Sequence, residues 1–555
     1  MRQSARFSAL LATAVLAACG GSPTTTNVPP AVCTVATDVT LGVGQYQIFD
    51  AVNQTSCVKL PGAAAATEYL VVEYAGAGTV TNYGITTPYG FIGGSAAASA
   101  SAGITASDLP VSRLFTESTA DQFHMMLRRR ERAMSQSPAV RFDTPLTPAP
   151  VPVFGDRDSI WTCSTLNCTA FTKIGATVRY VGSTAVVYAD DRVVPGSEAL
   201  TQADYDQLGS LFDNSLYPAD TTNFGVASDI NGDGHIAILL TPAVNDLTPD
   251  CSTGRVVGYF FGNDLLTSAS GSNKREIFYA FTTKAGTATC TAVTRARALS
   301  ALPPTLIHEL QHMISFNQHV LLRGGFDQDG WVNEGLSHFA EELGYRTIPD
   351  ALCPNAPSCF SQFMSGDIYN SFQYLNNPEP TFLVWPDTSS GGLPERGAAW
   401  LFLRWVADHF ASDSVLGTNF TRAMEQSTTL GSQRIEGFTG MDFPTLVGEW
   451  QMANYLENLP GFPQDGRLRY RTFNFRSTFA NNYPALFSKP YPLTPDSTPS
   501  TYLRNGTLRG GSGRHVRFQL PAGATGVLVR LAASTSSGGL LNPTALPRLA
   551  VVRIK

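Results

Sequence analysis

One five-residue segment constrains both the local fold and the chemistry of this 555-residue chain. Residues 308–312 read H-E-L-Q-H. Residues four apart lie on one face of an α-helix, so a helix would aim both imidazoles at one point. Neutral imidazole nitrogens are good Zn²⁺ ligands, and a glutamate beside them can deprotonate a metal-activated water. The segment therefore predicts a zinc-binding helix with His308 and His312 as ligands and Glu309 as the general base.

The surrounding residues favour this interpretation over an exposed helix with two incidental histidines. At about 100° per residue, His308 and His312 fall nearly opposite a single apolar arc. Pro303 and Pro304 suit the first turn of a helix. We therefore expect a helix that begins near these prolines and lines a cleft with its histidines. The apolar arc consists of Leu306, Ile307, Leu310, Met313 and Ile314.

A catalytic zinc ion needs a third protein ligand, because it keeps three protein ligands and one water. A continuation of the motif as H-E-x-x-H-x-x-G-x-x-H fits poorly. Ser315 stands at the glycine position, Gln318 stands at the third histidine position, and His319 comes one residue late. The third ligand is therefore expected elsewhere in the chain.

Residues 331–343, W-V-N-E-G-L-S-H-F-A-E-E-L, supply a better candidate. As a helix, this segment would bury its apolar residues on one side and hold Glu334, His338 and Glu341 on the other. We predict Glu334 as the third ligand. Ligating histidines usually donate their second N–H to a carboxylate or carbonyl, so Glu341 is expected to orient one of them. His338 would hydrogen-bond Glu334 or contact substrate.

The first residues indicate export. Arg2 and Arg6 precede an apolar stretch, residues 7–18, that is too short to span a bilayer. It ends in L-A-A-C-G, which resembles a bacterial lipobox with Cys19 as the lipidated residue. We predict a lipoprotein signal peptide over 1–19 and a flexible tether over 20–32; an ordinary signal peptide is the alternative. The protein would reside in the cell envelope, at the outer membrane, or outside the cell, with membrane contact through the lipid anchor only.

The remaining cysteines are even in number. Nine are present, and eight remain without Cys19. An exported chain with an even cysteine count is expected to form disulfides. Proximity in sequence favours the pairs Cys33–Cys57, Cys163–Cys168, Cys251–Cys290 and Cys353–Cys359.

The charge distribution gives little support for a nucleic-acid partner. The net charge is −6, whereas phosphate binding needs a concentrated basic face. The one basic run, residues 128–132, is interpreted as the solvated face of an amphipathic helix; a processing site and an anionic contact are alternatives. We expect a monomer.

The chain is too long for one compact core. A small β-domain is predicted over 33–112, a helix (residues 114–135) and Pro-rich linker over 113–153, a strand-rich lobe over 154–300, a helical lobe over 301–460, a linker over 461–499 and a C-terminal β-domain over 500–555. Asp229, Asn231 and Asp233 alternate as in a calcium-binding loop, but Leu240 stands where a bidentate glutamate is needed. A tight turn is favoured there, with calcium as the alternative.

The two segments 308–316 and 331–343 together resemble the hyicolysin family of bacterial zinc metallopeptidases, which belongs to the gluzincin group with thermolysin as a distant relative. The resemblance covers roughly residues 155–460. It implies zinc ligation by His308, His312 and Glu334 and catalysis by Glu309. The chain departs from the thermolysin pattern at His338, where that pattern has an aspartate that orients a zinc-binding histidine.

The sequence as a whole thus predicts an α+β protein with a two-lobed, zincin-like catalytic domain and small flanking β-domains. The predicted function is zinc-dependent endopeptidase action on extracellular proteins or peptides. Two alternatives stay open: a surface-anchored binding protein with a non-catalytic zinc site, and a zinc hydrolase of a non-peptide substrate.

Overall fold

The computed structural model of the chain describes residues 33, 35–95, 118–137, 146–389, 391–464, 466–482, 487, 489–535 and 539–555. The predicted signal peptide, the lipidation site Cys19 and the tether lie outside these residues. Within the described residues, none of the helices has the length and apolar character needed to cross a membrane.

The described residues form sixteen strands in three sheets. The strands are β1 (Thr37–Asp38), β2 (Tyr46–Asp50), β3 (Cys57–Leu60), β4 (Thr67–Ala75), β5 (Thr86–Ser95), β6 (Arg157–Cys163), β7 (Phe171–Val181), β8 (Ala185–Asp190), β9 (Ile236–Leu240), β10 (Gly258–Phe260), β11 (Ile277–Ala280), β12 (Asp496–Thr498), β13 (Tyr502–Arg509), β14 (Gly513–Leu520), β15 (Val527–Ala532) and β16 (Pro547–Arg553).

Twelve α-helices accompany them in the described part of the chain. They are α1 (Thr119–Ser135), α2 (Gln202–Leu211), α3 (Tyr217–Asn223), α4 (Pro242–Asp246), α5 (Arg295–Phe316), α6 (Gly330–Thr347), α7 (Cys359–Asn376), α8 (Leu393–Phe410), α9 (Thr418–Glu425), α10 (Gly431–Thr439), α11 (Phe443–Leu456) and α12 (Phe475–Ser477). The protein is therefore a mixed α/β structure.

The first and last strands of the chain build one β-sandwich. One five-stranded sheet has the order β1-β3-β15-β5-β13 and the other β12-β14-β4-β16-β2. Apolar side chains from both ends of the chain fill the space between the sheets, and the Phe91 and Phe518 rings lie 6.3 Å apart there. The sequence analysis treated residues 33–112 and 500–555 as separate β-domains, and the strand pairing instead joins them. Alternating patterns reveal strands but not their partners, which explains the difference.

A six-stranded mixed sheet lies between the two sets of sandwich strands in sequence, with the order β10-β11-β9-β8-β7-β6. The short strand β10 forms one edge and pairs antiparallel with β11. Helix α5 packs against this end of the sheet, and helices α6, α7 and α8 continue the same hydrophobic core. The sandwich joins this core through β4, where the Tyr74 hydroxyl donates to the carbonyl of Pro444 in α11.

Helix α5 begins eight residues earlier than the prolines suggested. Its N-cap is Thr294, whose side chain accepts a hydrogen bond from the Arg297 amide, and Pro303 and Pro304 lie inside the helix. Prolines lack the N–H groups that would bond the carbonyls four residues back. Here Gln362 of α7 donates its Nε2 to the carbonyls of Leu299 and Ser300, both at 3.1 Å. A tertiary contact therefore satisfies the carbonyls that the two prolines leave free.

The four predicted disulfides are confirmed. The structure pairs Cys33 with Cys57, Cys163 with Cys168, Cys251 with Cys290 and Cys353 with Cys359. All four close short loops, which is why proximity in sequence sufficed to predict them.

Replacing Gln362 by leucine tests the support of the proline-containing helix. We expect Gln362→Leu to lower the free energy of unfolding by about 1–3 kcal/mol, because two carbonyls lose their donor. Urea denaturation followed by tryptophan fluorescence measures the change. The matched variant Gln433→Leu, at an exposed position of α10, should change stability by less than about 0.5 kcal/mol. Equal effects of both substitutions would contradict this role.

Candidate metal centre

Helices α5 and α6 bring three ligand-type side chains together. His308 Nε2 and His312 Nε2 lie 3.2 Å apart. Each of these nitrogens lies 3.7 Å from an oxygen of Glu334, His308 from Oε2 and His312 from Oε1. All three side chains are buried. The two histidines come from successive turns of α5 and the glutamate from the second turn of α6.

The geometry fits a zinc ion. Two atoms held about 2.0–2.1 Å from one zinc ion in tetrahedral geometry are about 3.3–3.4 Å apart. The three separations in the structure lie on either side of this value. In addition, Glu334 Oε1 is buried without a hydrogen-bond partner. A buried carboxylate oxygen facing two imidazole nitrogens is the donor set that zinc prefers.

Each histidine is oriented through its other ring nitrogen. His308 Nδ1 lies 2.8 Å from Glu341 Oε1, and His312 Nδ1 lies 2.9 Å from Asn333 Oδ1. Because these oxygens accept hydrogen bonds, both Nδ1 atoms carry the proton and both Nε2 atoms present lone pairs. Three lone-pair groups then face one another, an arrangement that a cation stabilises.

Charge neighbours reinforce this protonation state. Burial, together with the positive charge of Arg128, holds the pKa of His312 well below its usual value, so this imidazole is neutral. Burial alone would raise the pKa of Glu334, but the positive charge of Arg396 is the largest opposing effect, and this pKa is held well below the usual value. Glu334 is therefore an ionised carboxylate.

Arg396 of α8 supports Glu334 directly. Its Nη1 donates to Glu334 Oε2 at 2.6 Å, and both side chains are buried. Helix α8 can approach because α6 has Gly335 beside the glutamate: a Cβ there would lie 2.7 Å from Leu403 Cδ1. A glycine next to the ligand thus permits the close helix packing that places the guanidinium.

Glu309 lies between the metal-ligand group and the edge of the mixed sheet. Its Oε2 accepts a hydrogen bond from the backbone amide of Phe260 in β10 at 2.7 Å. Burial is the largest effect on its pKa and raises it, while His308 and Arg128 oppose the rise. A carboxylate with a raised pKa, one helix position from the first histidine, is suited to accept and return a proton.

The structure gives His338 a different environment from the predicted one. Its Nδ1 lies 2.7 Å from Asp367 Oδ1 and 3.0 Å from Glu341 Oε1. Burial lowers the pKa of His338, but the two carboxylates outweigh it and raise it to about 10. Glu341 thus bridges His308 and a charged His338. The carboxylate that orients His308 comes one turn later in α6 than in the thermolysin pattern.

Sequence reasoning missed three contributors to the centre: Asn333, Asp367 and Arg396. Asn333 directly precedes Glu334 and points with it toward α5, so its position in the segment was a usable signal. Asp367 and Arg396 come from α7 and α8, and only tertiary packing brings them near. His319, which comes one residue late for the longer H-E-x-x-H-x-x-G-x-x-H motif, instead pairs with Glu425, whose Oε2 lies 3.1 Å from its Nε2.

The predicted calcium residues form local turn contacts. Asp229 Oδ1 accepts from the Gly234 amide, and Asp233 Oδ1 accepts from the His235 amide. Asn231 Nδ2 donates to Asp233 Oδ2. Among the described residues, the clusters able to hold a metal are His308–His312–Glu334 and His308–His338–Glu341. Calcium binding at residues 229–233 stays a prediction.

The cleft that the histidines were expected to line is filled. His308 is 7% exposed and Glu309 and His312 are each 1% exposed, so α5 is buried on its polar face also. The helix that covers the region is α1, which contains the basic run. The expectation of a solvated basic face is wrong for part of this run, because Arg128 is 4% exposed and Glu131 is 1% exposed. Buried partners, which a sequence pattern does not reveal, account for the difference.

The centre has the donor set of zinc hydrolases, two histidines and a glutamate. A second glutamate, Glu309, lies beside this group without belonging to it. Sequence comparison agrees at this level: the chain is 28% identical over 172 residues to Neutral metalloprotease ShpI of Staphylococcus hyicus. The alignment covers 31% of this chain and 36% of that protein, so it spans about a third of the relative's length. This similarity supports a relationship to metalloproteases. No protein-family profile matches the chain.

Solved structures give weaker matches. The M1 zinc metallopeptidase of Deinococcus radiodurans matches at 13% identity with a TM-score of 0.25, covering 53% of this chain and 48% of that chain. A mutant two-domain M1 zinc metallopeptidase bound to L-arginine matches at 13% identity with a TM-score of 0.26, covering 53% of this chain and 49% of that chain. Scores this low carry no argument about fold or activity.

Removing the Glu341 carboxylate tests its role beside His308. We expect Glu341→Ala to weaken zinc affinity about 10–100-fold, because His308 loses the acceptor that fixes its ring and tautomer. Competition with a fluorescent chelator measures the affinity. Glu198→Ala, at an exposed position before α2, is the matched control and should leave the affinity unchanged. Unchanged affinity in Glu341→Ala would contradict the assignment.

Proposed function

We propose that the protein is a zinc-dependent endopeptidase of the hyicolysin type that cleaves extracellular proteins. In this proposal His308, His312 and Glu334 hold the zinc ion and Glu309 is the general base. The observation that carries it is the convergence of three buried lone-pair groups at zinc-like separations, with Glu309 next to them. A purely structural zinc site would not need that additional carboxylate.

The surrounding residues divide the catalytic work. A zinc ion, when bound, would polarise the scissile carbonyl and acidify a water molecule. Glu309 would accept the water proton on a carboxylate oxygen and deliver it to the leaving amine. Glu341 and Asn333 fix the histidine rings, and Arg396 keeps Glu334 ionised. Preorganised groups of this kind need no rearrangement during the reaction.

The edge strand β10 supports a polypeptide substrate. Among the described strands it pairs with β11 alone, on one side, and its Phe260 amide points to the Glu309 carboxylate. An extended peptide could add to the other side of such an edge through main-chain hydrogen bonds. Binding through the backbone requires no chain terminus, which favours an endopeptidase over an exopeptidase.

The disulfides support an extracellular setting. Four closed pairs persist in an oxidising compartment and are rare in the cytosol. Together with the predicted signal segment, they support export, with anchoring through a lipid on Cys19. We further propose that the protein acts as a monomer.

The proposed role of Glu309 is tested in a chain that begins after Pro30. We expect Glu309→Gln to lower kcat for casein or a quenched fluorescent peptide about 10²–10⁴-fold, because the general base is lost. Each preparation is assayed intact and again after limited digestion by a serine protease, which is inactivated before the assay. The zinc content of each preparation is measured by atomic absorption.

The control is Glu198→Gln, which should behave like the parent protein. A parent that binds one equivalent of zinc yet hydrolyses no member of a peptide library, either intact or digested, would overturn the peptidase proposal. An equal loss of zinc in Glu309→Gln would instead make Glu309 part of the metal-binding group.

A further inference from the structure

Helix α1 occupies the edge of the mixed sheet beside Glu309. The carbonyl of Phe260 in β10 accepts a hydrogen bond from Arg128 Nη2 at 2.8 Å. Two residues further on, the amide of Gly262 donates to Glu131 Oε1 at 2.7 Å. Arg128 and Glu131 thus satisfy one main-chain acceptor and one main-chain donor, as a neighbouring strand would.

These two side chains form a buried ion pair. Arg128 Nε lies 3.0 Å from Glu131 Oε2, and the side chains are 4% and 1% exposed. The guanidinium also lies 5.9 Å from the centre of the Phe260 ring. Burying a charged pair is expensive unless further hydrogen bonds compensate, and here the Phe260 carbonyl and the Gly262 amide each supply one.

Polar contacts on both flanks fix α1 across the site. Arg132 pairs with Asp329 Oδ1 at 2.8 Å, at the N-terminus of the helix that carries Glu334. On the sheet side, Arg130 donates to the carbonyl of Cys168 at 2.6 Å. The helix therefore bridges the sheet and the metal-binding helices.

Apolar side chains of α1 fill the space beneath it. Phe123, Met125 and Leu127 are buried, and the Phe123 ring lies 5.2 Å from that of Tyr259 in β10. Met125 packs against the start of α6, where a Cβ on Gly330 would lie 3.0 Å from its Cε. A substrate strand would lie about 4.7–4.9 Å from β10, in the place that α1 now fills.

We infer that α1 is an intramolecular inhibitor, so that the chain with α1 in this position is a latent form of the proposed peptidase. The inference rests on the proposed function. A peptide cannot pair with this edge at Phe260 while Arg128 holds the Phe260 carbonyl and Glu131 holds the Gly262 amide just beyond the end of β10. Activity therefore requires α1 to leave, and residues 118–137 contain no cysteine that could tie the helix in place.

The charge of the helix suits a segment that can detach. A permanent core contact is commonly as stable, or more stable, when a buried ion pair is replaced by apolar residues. A helix that must be soluble after release needs charges on the surface that it buries while docked. Residues 128–132, R-R-R-E-R, meet that need.

The test uses the zinc-loaded chain with recognition sequences for a specific endoprotease placed within residues 100–112 and 138–145. The chain is cleaved at both sites, and size-exclusion chromatography in mild urea then separates α1 from the rest of the protein. The urea is removed before the assays. We expect peptide hydrolysis to rise about tenfold or more, because rate scales with the fraction of molecules whose groove is open. We also expect faster extraction of zinc by a chelator, a readout that does not depend on peptidase activity.

A synthetic peptide of residues 118–137 should restore the latent state. We expect it to bind the released protein by fluorescence anisotropy, to slow zinc extraction and to inhibit competitively with substrate. The peptide with Arg128→Ala and Glu131→Ala should bind at least about tenfold more weakly, since its hydrogen bonds to Phe260 and Gly262 are lost. The peptide with Ala133→Ser, changed at an exposed position of α1, should act like the parent peptide.

The outcomes separate this inference from the proposed function. Peptide binding and faster zinc extraction without any hydrolysis would support the inhibitory helix and overturn the peptidase proposal. Equal zinc extraction and equal hydrolysis before and after release would overturn the inference. Loss of the folded structure on release, seen by circular dichroism, would make α1 part of the core and would also overturn it.

Discussion

The packing of α5 against α6 is the constraint on which the site depends. It holds two histidine nitrogens and one carboxylate at separations between 3.2 and 3.7 Å. Lone pairs that face one another at such distances repel unless a cation lies among them. Other residues must therefore hold the two helices together. The buried Arg396–Glu334 pair and the Glu341 and Asn333 hydrogen bonds supply that restraint. The remaining helices position these groups.

The part of the site that could be predicted from the sequence is the part that local geometry determines. His308 and His312 follow from a four-residue spacing, and Glu334 follows from the polar face of one short helix. Arg396 could not be predicted, because it lies 62 residues beyond Glu334 and only the approach of α8 at Gly335 brings it close. The pairing of His338 with Asp367 could not be predicted for the same reason, since Asp367 lies on α7.

The fold shows the same division between local and distant information. A short, continuous apolar run such as 236–240 is typical of a buried strand and forms β9, and residues 443–456 form helix α11. The shared β-sandwich was missed because the mixed sheet and most of the helices lie between its two halves in the sequence. The start of α5 was misplaced because Gln362, a distant residue, satisfies the carbonyls that the prolines cannot bond.

The basic run in α1 brings these arguments together. Its sequence has the pattern of a solvated helix, yet in the structure Arg128 and Glu131 are buried against β10. If α1 were a permanent part of the core, apolar residues would fill the same space at lower cost in desolvation than a buried ion pair. An equilibrium between a docked and a released helix accounts for the charged residues. In the docked state backbone groups bond them, and in the released state water solvates them. The same residues that close the edge strand would then keep the open form soluble.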